Sequence, residues 1–587
     1  MNVLGISGLD NSVSFKKRVH PGLSRRHYRI CQGFDAAAAL VSGGGVHAAA
    51  AEERFTRQKT TGAFPVNAIR YCLDAGKMKL TAVDCIAHGF NYEPYREYYY
   101  QTDLGRRQFD EVYSRECQLR TLQAALNGEW NGKFVQVPHH HAHAASTFFL
   151  SGMEEALVVV ADGMGEQEGL TVGVGRDRRI EVLKQIPSIH SLGILYSVFT
   201  LYLGFDFNMD EYKVMGLAPY GNPRRHFDSI MSLVSLKPDG THTIPLLFKN
   251  ETEEDKETYA GSLRVLEEMF GPPRDPEAEI TRQHQDVAAG LQAVLQTALL
   301  HLLRAFRKET GLRNLCMAGG VALNCTANGV IKRSRIFKKM FVQPAAGDDG
   351  SALGAALSVL HSHHRDLPVE GMSLPLWGPE FGDDEIAEAI RGRAGCVARR
   401  FDSVDALVGE ASDCIARGQI LGWFQGRMEF GPRALGSRSI LADPRGGDMR
   451  NRINALVKKR EEFRPFAPAV AAEAAAKFFE IEDGDESLFA YMLCVTQVRA
   501  AFREQLPAIT HVDGSARVQT VNRDENPRFW KLLKAFESKS GMPILLNTSF
   551  NVRGQPIVCT PAEAVDTFLL AGLDALVIGD YLVRAKD

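Results

Sequence analysis

In the run PHHHAHAAS, His139 and His143 stand four residues apart, a spacing that on a helix sets two imidazoles on one face, one turn above the other. Two such rings reach one first-row metal ion, and the same density of histidine also suits a partly exposed polar turn. Downstream, the apolar run 156–160 leads into ADGMG, so Asp162 lies at the C-terminal end of an expected buried strand, where α/β ligand sites gather. It reads as a third ligand or as a plain Asp-Gly turn. In MAGGVALNCTANG, Gly319 and Gly320 follow the apolar run 314–318. Amides at such a turn approach a phosphate closely, and tight helix–strand packing uses the same glycines. Asp348 and Asp349 open a helix of small residues in GDDGSALGAAL, where a carboxylate binds a cation or caps the helix.

A second chemical character marks the later part of the chain. Ten Lys or Arg fall between Arg427 and Arg464 against five acidic residues, interleaved with Gly, Pro and Phe. Guanidinium forks bind phosphates and carboxylates in bidentate fashion, so this tract suits an anion pocket, with a solvated basic face as the alternative. HVDGSARVQTV and LLNTSFNVRGQPIV add Arg517, Asn547, Asn551 and Arg553 beside expected strands, where Asn reads an amide or nucleotide edge or makes a turn.

The elements that must position these groups alternate. Strand-like runs at 3–6, 36–41, 156–160 and 340–343 are interspersed with helical stretches at 285–306 and 351–360, which indicates α/β architecture. Strands at 420–423, 544–546 and 575–578 with helices at 405–417 and 562–570 continue the pattern. Between them, residues 360–385 are rich in Pro, Gly and charge, placing a domain boundary at about 375. The sequence carries no evident long internal repeat. A length of 587 residues supports two or three cores, and a net charge of -3 argues against a partner such as tRNA that needs many phosphate contacts. The N-terminus has no charged region before its apolar run, and no uncharged apolar stretch reaches about 18 residues, so a cytoplasmic protein away from membranes is expected. The ten cysteines form no CxxC pair and read as buried small hydrophobes.

In order along the chain, AEERFTRQK, HHHAHAAS, ADGMGE, SLGILYS, KVMGLAPYG, GGVALN, GDDGSALGAAL, FGPRALGSRSILADPR, KKREEFRPFAP, HVDGSARVQT and NTSFNVRGQPIV resemble the NodU/CmcH carbamoyltransferases. That family includes the O-carbamoyltransferases of tobramycin-type aminoglycoside and ansamycin or polyketide antibiotics. The resemblance implies an actin/hexokinase-like (ASKHA) carbamoyl-transfer domain over 1–370, related to threonylcarbamoyl transferases, and a smaller YrdC-like α/β domain over 380–587. The second would form carbamoyl-adenylate from carbamoyl phosphate and ATP with Mg2+; the first would pass the carbamoyl group to a hydroxyl of a small natural product. It further implies His139, His143, Asp162 and Asp348 as ligands of one metal, Fe(II) in the family, although two imidazoles and two carboxylates also suit manganese or zinc. Gly193, Gly319, Gly320 and Asn324 correspond to an adenylate cradle. Arg433, Lys458, Arg464, Arg517, Asn547, Asn551 and Arg553 correspond to contacts with carbamoyl phosphate and ATP. Asp35 and Lys59 are catalytic candidates. A tRNA-modifying threonylcarbamoyl-type enzyme is the rival reading.

The chain departs from the family where members commonly read His-Asp-Ala-Ser-Ala-Ala-Leu: here Phe34 precedes Asp35 in GFDAAAAL. An additional segment, residues 10–32, carries six Lys or Arg and two His. As a lid over the acceptor it would supply a substitute base, Asp10, His20 or His27, with Phe34 against an apolar, polyketide-like acceptor; as a solvated loop it would supply none.

Overall fold

The computed structural model describes every residue except Gly44, Arg365, Asp366, Glu370, Lys459, Arg460, Glu462, Asp483 and Asp587, and the side chain of Lys458 lies outside the described ones. Two compact units result, Met1–Glu53 with Thr60–Met372, and Arg54–Lys59 with Ser373–Asp587.

The first unit contains two five-stranded sheets. One is built from β1 (Asn2–Ile6), β2 (Ala37–Ser42), β3 (Gly45–Ala51), β4 (Cys85–His88) and β5 (Lys133–Gln136), in the order β3-β2-β1-β4-β5. Helix α1 (His139–Phe148) follows. The other sheet uses β6 (Glu155–Ala161), β7 (Glu168–Arg176), β8 (Arg179–Pro187), then, after helices α2 (Leu192–Tyr202) and α3 (Arg282–Thr310), β9 (Asn314–Ala318). Helix α4 (Cys325–Arg333), β10 (Lys339–Val342) and helix α5 (Asp348–His363) close the unit, and the sheet order is β10-β9-β6-β7-β8. Each sheet repeats one plan: its first three strands run antiparallel in sequence, and its fourth and fifth lie parallel beside the first. This doubled plan is the actin/hexokinase-like architecture. The repeat is absent from the letters because burial, more than residue identity, places a central strand: AAALV in β2 and GLTVG in β7 are both buried and share no letter pattern.

Small residues set the spacing between layers. A Cβ on Gly354 of α5 would stand 1.7 Å from the Ala142 carbonyl oxygen of α1, and one on Gly5 of β1 would stand 1.8 Å from that of Ala352. Backbone therefore lies on backbone, and the start of α5 is brought against the histidine face of α1. Among the described residues, α3 alone has the length and apolar content to cross a membrane, and 72% of that stretch is buried within the protein.

The inserted segment is folded and tied down. Lys16 pairs with Glu257 at 2.7 Å, Arg26 with Asp206 at 3.1 Å, and Gln32 Nε2 donates to the Met164 carbonyl at 2.8 Å. It thus holds the loop that follows Asp162.

The second unit is an eight-stranded mixed sheet. Its strands are β11 (Cys396–Arg400), β12 (Leu421–Phe424), β13 (Arg438–Ala442), β14 (Ala467–Ala471), β15 (Gln519–Val521), β16 (Ile544–Ser549), β17 (Ala575–Ile578) and β18 (Tyr581–Ala585), ordered β11-β18-β17-β12-β13-β16-β14-β15. Helices α6 (Val404–Ala416) and α7 (Pro527–Ser540) bury Leu407, Ala411, Phe529, Leu533 and Phe536 against Leu421, Trp423, Leu545 and Val577. The segment Arg54–Lys59 joins this unit through Arg57, which donates to the Pro556 and Ile557 carbonyls at 2.9 and 2.8 Å, and through Phe55 on Met428 and Cys559.

Candidate functional site

Four side chains from four elements converge in the first unit. His139 and His143 project from α1, Asp162 ends β6, and Asp348 opens α5. One ligand atom from each lies within 4.8 Å of all the others. The two Nε2 atoms are 3.0 Å apart, His139 Nε2 is 3.6 Å from Asp162 and 3.4 Å from Asp348, and His143 Nε2 is 3.6 Å from Asp348. His139 Nδ1 donates to the Gly89 carbonyl at 2.8 Å, which fixes the tautomer and turns the Nε2 lone pair into the cluster. Its ring lies flat on Phe90, 4.0 Å between centroids. Both histidines are fully buried.

Electrostatics marks the centre as a place for positive charge. Burial works against a charged His139, yet Asp348 and then Asp162 outweigh it and hold its pKa well above the ordinary value. Asp162 and Asp348 resist their own burial and are held low by the two histidines. Bonds of about 2.0–2.2 Å to one ion leave tetrahedral donors about 3.3–3.6 Å apart; the His–Asp distances of 3.4 and 3.6 Å match that spacing, and the two imidazole nitrogens at 3.0 Å need only a small separation to share a divalent cation.

Glycine and backbone build the surround. A Cβ on Gly319, whose φ is +88°, would meet the Ala161 oxygen at 2.4 Å, and one on Gly193 would meet the Asp162 oxygen at 2.5 Å. Gly320 N–H donates to Asp162 Oδ1 at 2.8 Å. These glycines therefore serve the close approach around the end of β6. Asn324 caps α4 by accepting from Ala327 N–H and exchanges two hydrogen bonds of 3.0 Å with Gln292.

The catalytic candidates have different surroundings. Asp35 holds a left-handed φ of 57°; burial first, then Asp349, Glu53 and Asp348, push its carboxyl well above the usual range. Burial first, then Lys16 and Arg26, lower the His27 pKa against the opposing pull of Glu254. The His20 carbonyl accepts from Tyr28 Oη at 2.9 Å, and Asp10 accepts the Phe64 N–H at 2.8 Å. Phe34 lies under the Arg29 guanidinium at 4.6 Å. Lys59 belongs to the segment grouped with the second unit.

In the second unit the strand directions gather the basic candidates. β13 and β14 both run antiparallel to β16, and β15 runs parallel to β14. Arg433, Arg464 and Arg517, which precede β13, β14 and β15, therefore share one end of the sheet with Asn547, Asn551 and Arg553 at the end of β16. Asn547 is buried and donates to Gln519 at 2.8 Å, and its Oδ1 has no hydrogen-bond partner. Arg464 meets Glu461 at 3.4 Å, and Asn551 donates to the Gln555 carbonyl at 2.7 Å.

Sequence reasoning missed Glu166. Its carboxylate accepts the His139 N–H at 2.9 and 3.1 Å and the Asn91 N–H at 2.6 Å, so it anchors the first turn of α1. The sixth letter of ADGMGE was its only signal.

The first unit thus carries a cluster that could hold a metal ion, and the second gathers its basic residues at one sheet end. Residues 30–357 match the carbamoyltransferase N-terminus family and residues 412–585 the carbamoyltransferase C-terminus family, and the chain belongs to the NodU/CmcH carbamoyltransferases. It is 41% identical to an uncharacterised protein of Synechocystis sp., over 94% of this chain and 95% of that one. It is 41% identical to nodulation protein NolNO of Sinorhizobium fredii, over 94% and 79%, and 36% identical to 3'-hydroxymethylcephem-O-carbamoyltransferase of Amycolatopsis lactamdurans, over 45% and 48%. HypF of T. kodakarensis aligns with 62% of this chain and 48% of its own at 15% identity and a TM-score of 0.31.

Proposed function

We propose that this carbamoyltransferase is ATP-dependent and works in two stages, forming carbamoyl-adenylate in its second, YrdC-like unit and carbamoylating a hydroxyl of a small natural product in its first. The observation that carries the reading is the buried cluster of His139, His143, Asp162 and Asp348 beside the close-packed glycines. Carbamate is a poor electrophile until its oxygen becomes part of a leaving group, and an adenylate supplies one. In the second unit, Arg433, Lys458, Arg464, Arg517 and Arg553 neutralise the charge that develops on phosphate and pyrophosphate as they leave, Mg2+ accompanying ATP, while Asn547 and Asn551 orient the bound groups. In the first unit His139, His143, Asp162 and Asp348 hold a first-row divalent cation, Fe(II) in our reading. That ion supplies Lewis acidity toward the carbamoyl carbonyl.

Gly193, Gly319 and Gly320 bring backbone N–H groups close around the end of β6, the kind of turn that binds an adenylate's phosphate, and Asn324 fixes the start of α4. The acceptor oxygen attacks the carbamoyl carbon, AMP leaves, and the hydroxyl proton passes to Asp35. Its environment of burial and neighbouring carboxylates makes its ionised form a stronger base than an ordinary aspartate. This reading gives His20, His27 and Lys59 no part in the step. The test is incubation with ATP, carbamoyl phosphate and a panel of polyketide, aminoglycoside and nodulation-factor alcohols, read by mass spectrometry. A carbamoyl adduct that requires both ATP and carbamoyl phosphate supports the reading; an adduct formed equally without ATP overturns it.

A further inference from the structure

Strands β12 and β13 are antiparallel neighbours, and such a pair is ordinarily joined by about 2–5 residues. Here residues 425–437 intervene. We propose that this connection is a platform built by Glu429 and Gln519, positioning residues that act through the loop to present Arg433 to a phosphate group. The inference rests on the reading of Arg433 as a phosphate contact, and it adds the residues that set its geometry.

A loop without regular structure must satisfy its backbone polar groups in other ways, and here side chains do so from both sides. Glu429 Oε1 accepts from the N–H groups of Leu435, Ser437 and Arg438 at 2.7, 2.7 and 3.2 Å. Opposite it, Gln519 Nε2 donates to the Leu435 carbonyl at 2.8 Å, Asn547 Nδ2 to the Ala434 carbonyl at 3.3 Å, and Trp423 Nε1 to the Gly436 carbonyl at 2.9 Å. Gln519 Oε1 in turn accepts from Asn547 at 2.8 Å, so the two carboxamides form one brace, and Asn547 orients bound groups through it. Every residue from Ala434 to Arg438 is thereby held, directly after Arg433. The near side is fixed as well, because the Gly431 carbonyl accepts from Arg54 at 3.0 Å. Gly436, at a φ of +100°, lies so close to α7 that a Cβ would stand 2.3 Å from Phe529 Cδ1.

Joining two strands does not call for this construction. Glu429, Gln519 and Asn547 are all buried, and taking a carboxylate and two carboxamides out of water is unfavourable unless their hydrogen bonds are recovered. A long loop rigidly held by buried polar groups is how a fold places a binding side chain. The gain is preorganisation: fixing the chain around one long side chain in advance is worth about 3- to 10-fold in affinity. Glu429 Oε2 has no hydrogen-bond partner, so a glutamine keeps the oxygen that the three N–H groups use and sets its NH2 where no bond is broken.

Inorganic pyrophosphate, titrated calorimetrically into the full-length protein, reads the platform without turnover. Arg433→Ala should weaken binding by about 10- to 100-fold, the worth of a charged hydrogen bond, and Glu429→Ala by about 3- to 10-fold. Glu429→Gln should restore affinity to within about 2-fold of the wild type. The deciding comparison is the double variant: because Glu429 acts through Arg433, Glu429→Ala/Arg433→Ala should bind as Arg433→Ala does alone. If Glu429→Ala fails to fold, Gln519→Leu should give the same loss in the wild-type background and none beside Arg433→Ala. No pyrophosphate binding by the wild type, losses that add in the double variant, or wild-type affinity in a folded Glu429→Ala protein would overturn the assignment. The expected pattern in a protein that shows no pyrophosphate release from ATP and carbamoyl phosphate would refute the two-stage reading and leave the platform standing.

Discussion

Replacing Glu166 with Gln removes charge from behind α1 without touching an atom proposed to bind the cation. Oε1 accepts from Asn91 and His139 N–H at 2.6 and 2.9 Å, and Oε2 accepts from His139 N–H at 3.1 Å. Glutamine can keep one of these positions as an acceptor; the other becomes an amide nitrogen facing the N–H, donor to donor. A hydrogen bond to a charged acceptor is worth about 1.5–3 kcal/mol, and a negative charge at a helix N-terminus adds about 0.3–1 kcal/mol. The share that reaches the cation is the displacement of His139, and groups standing behind metal ligands typically contribute about 10–100-fold in affinity. Burial raises the Glu166 pKa to about 7, against the pull of His139 and the backbone donors. The carboxylate is therefore fully present only above that pH. The gap between wild type and Glu166→Gln should be largest near pH ~8 and shrink toward pH ~6, where the native side chain is itself protonated. Titration of Mn(II) against a chelating indicator at several pH values reads this directly. An unchanged affinity at pH ~8 in a variant that melts like the wild type would refute the reasoning.

Purified protein should carry about one transition metal per chain, and His139→Ala/His143→Ala should reduce this to near none by elemental analysis; unchanged content would remove the cluster from consideration. Gly319→Ala combines a φ of +88° with a Cβ 2.4 Å from the Ala161 oxygen, and should lower stability to denaturant by about 2–5 kcal/mol, a loss under ~1 kcal/mol being inconsistent with the close approach. Burial lowers the His242 pKa from 6.5 to about 4, so between those values the unfolded chain binds the extra proton. Stability should fall by about 3 kcal/mol from this group as pH drops through that window, and His242→Gln should flatten the acid limb of the stability profile.

The four residues of the cluster were easier to pick out in the sequence than the sheets that gather them. His139 and His143 announce themselves because a helix converts a spacing of four into a shared face, and Asp162 because a strand ending in a carboxylate is a familiar place for a ligand. Asp348 was legible as the head of a small-residue helix; the packing of Gly354 on Ala142 supplies the reason those residues are small. The doubled sheet was expected only through the family resemblance and not from periodicity, since identical strand order leaves no letter-by-letter trace. Nor was the placement of Arg54–Lys59 with the second unit, which depends on carbonyl acceptors some 500 residues downstream. His20 and His27 attracted notice as titratable residues in an inserted segment, but segment folding is driven by Lys16, Arg26 and Gln32 finding partners. Glu166 was hidden because its partners are backbone N–H groups, which no side-chain pattern displays.

The central claim, two half-reactions on two units, is tested most directly by pyrophosphate release. With ATP and carbamoyl phosphate but no acceptor, Arg464→Ala should lose release, since a guanidinium making one or two charged hydrogen bonds of about 1.5–3 kcal/mol each is removed. His139→Ala should release pyrophosphate as the wild type does and yet carbamoylate no alcohol. A folded His139→Ala protein that lost release as completely as Arg464→Ala would contradict the account.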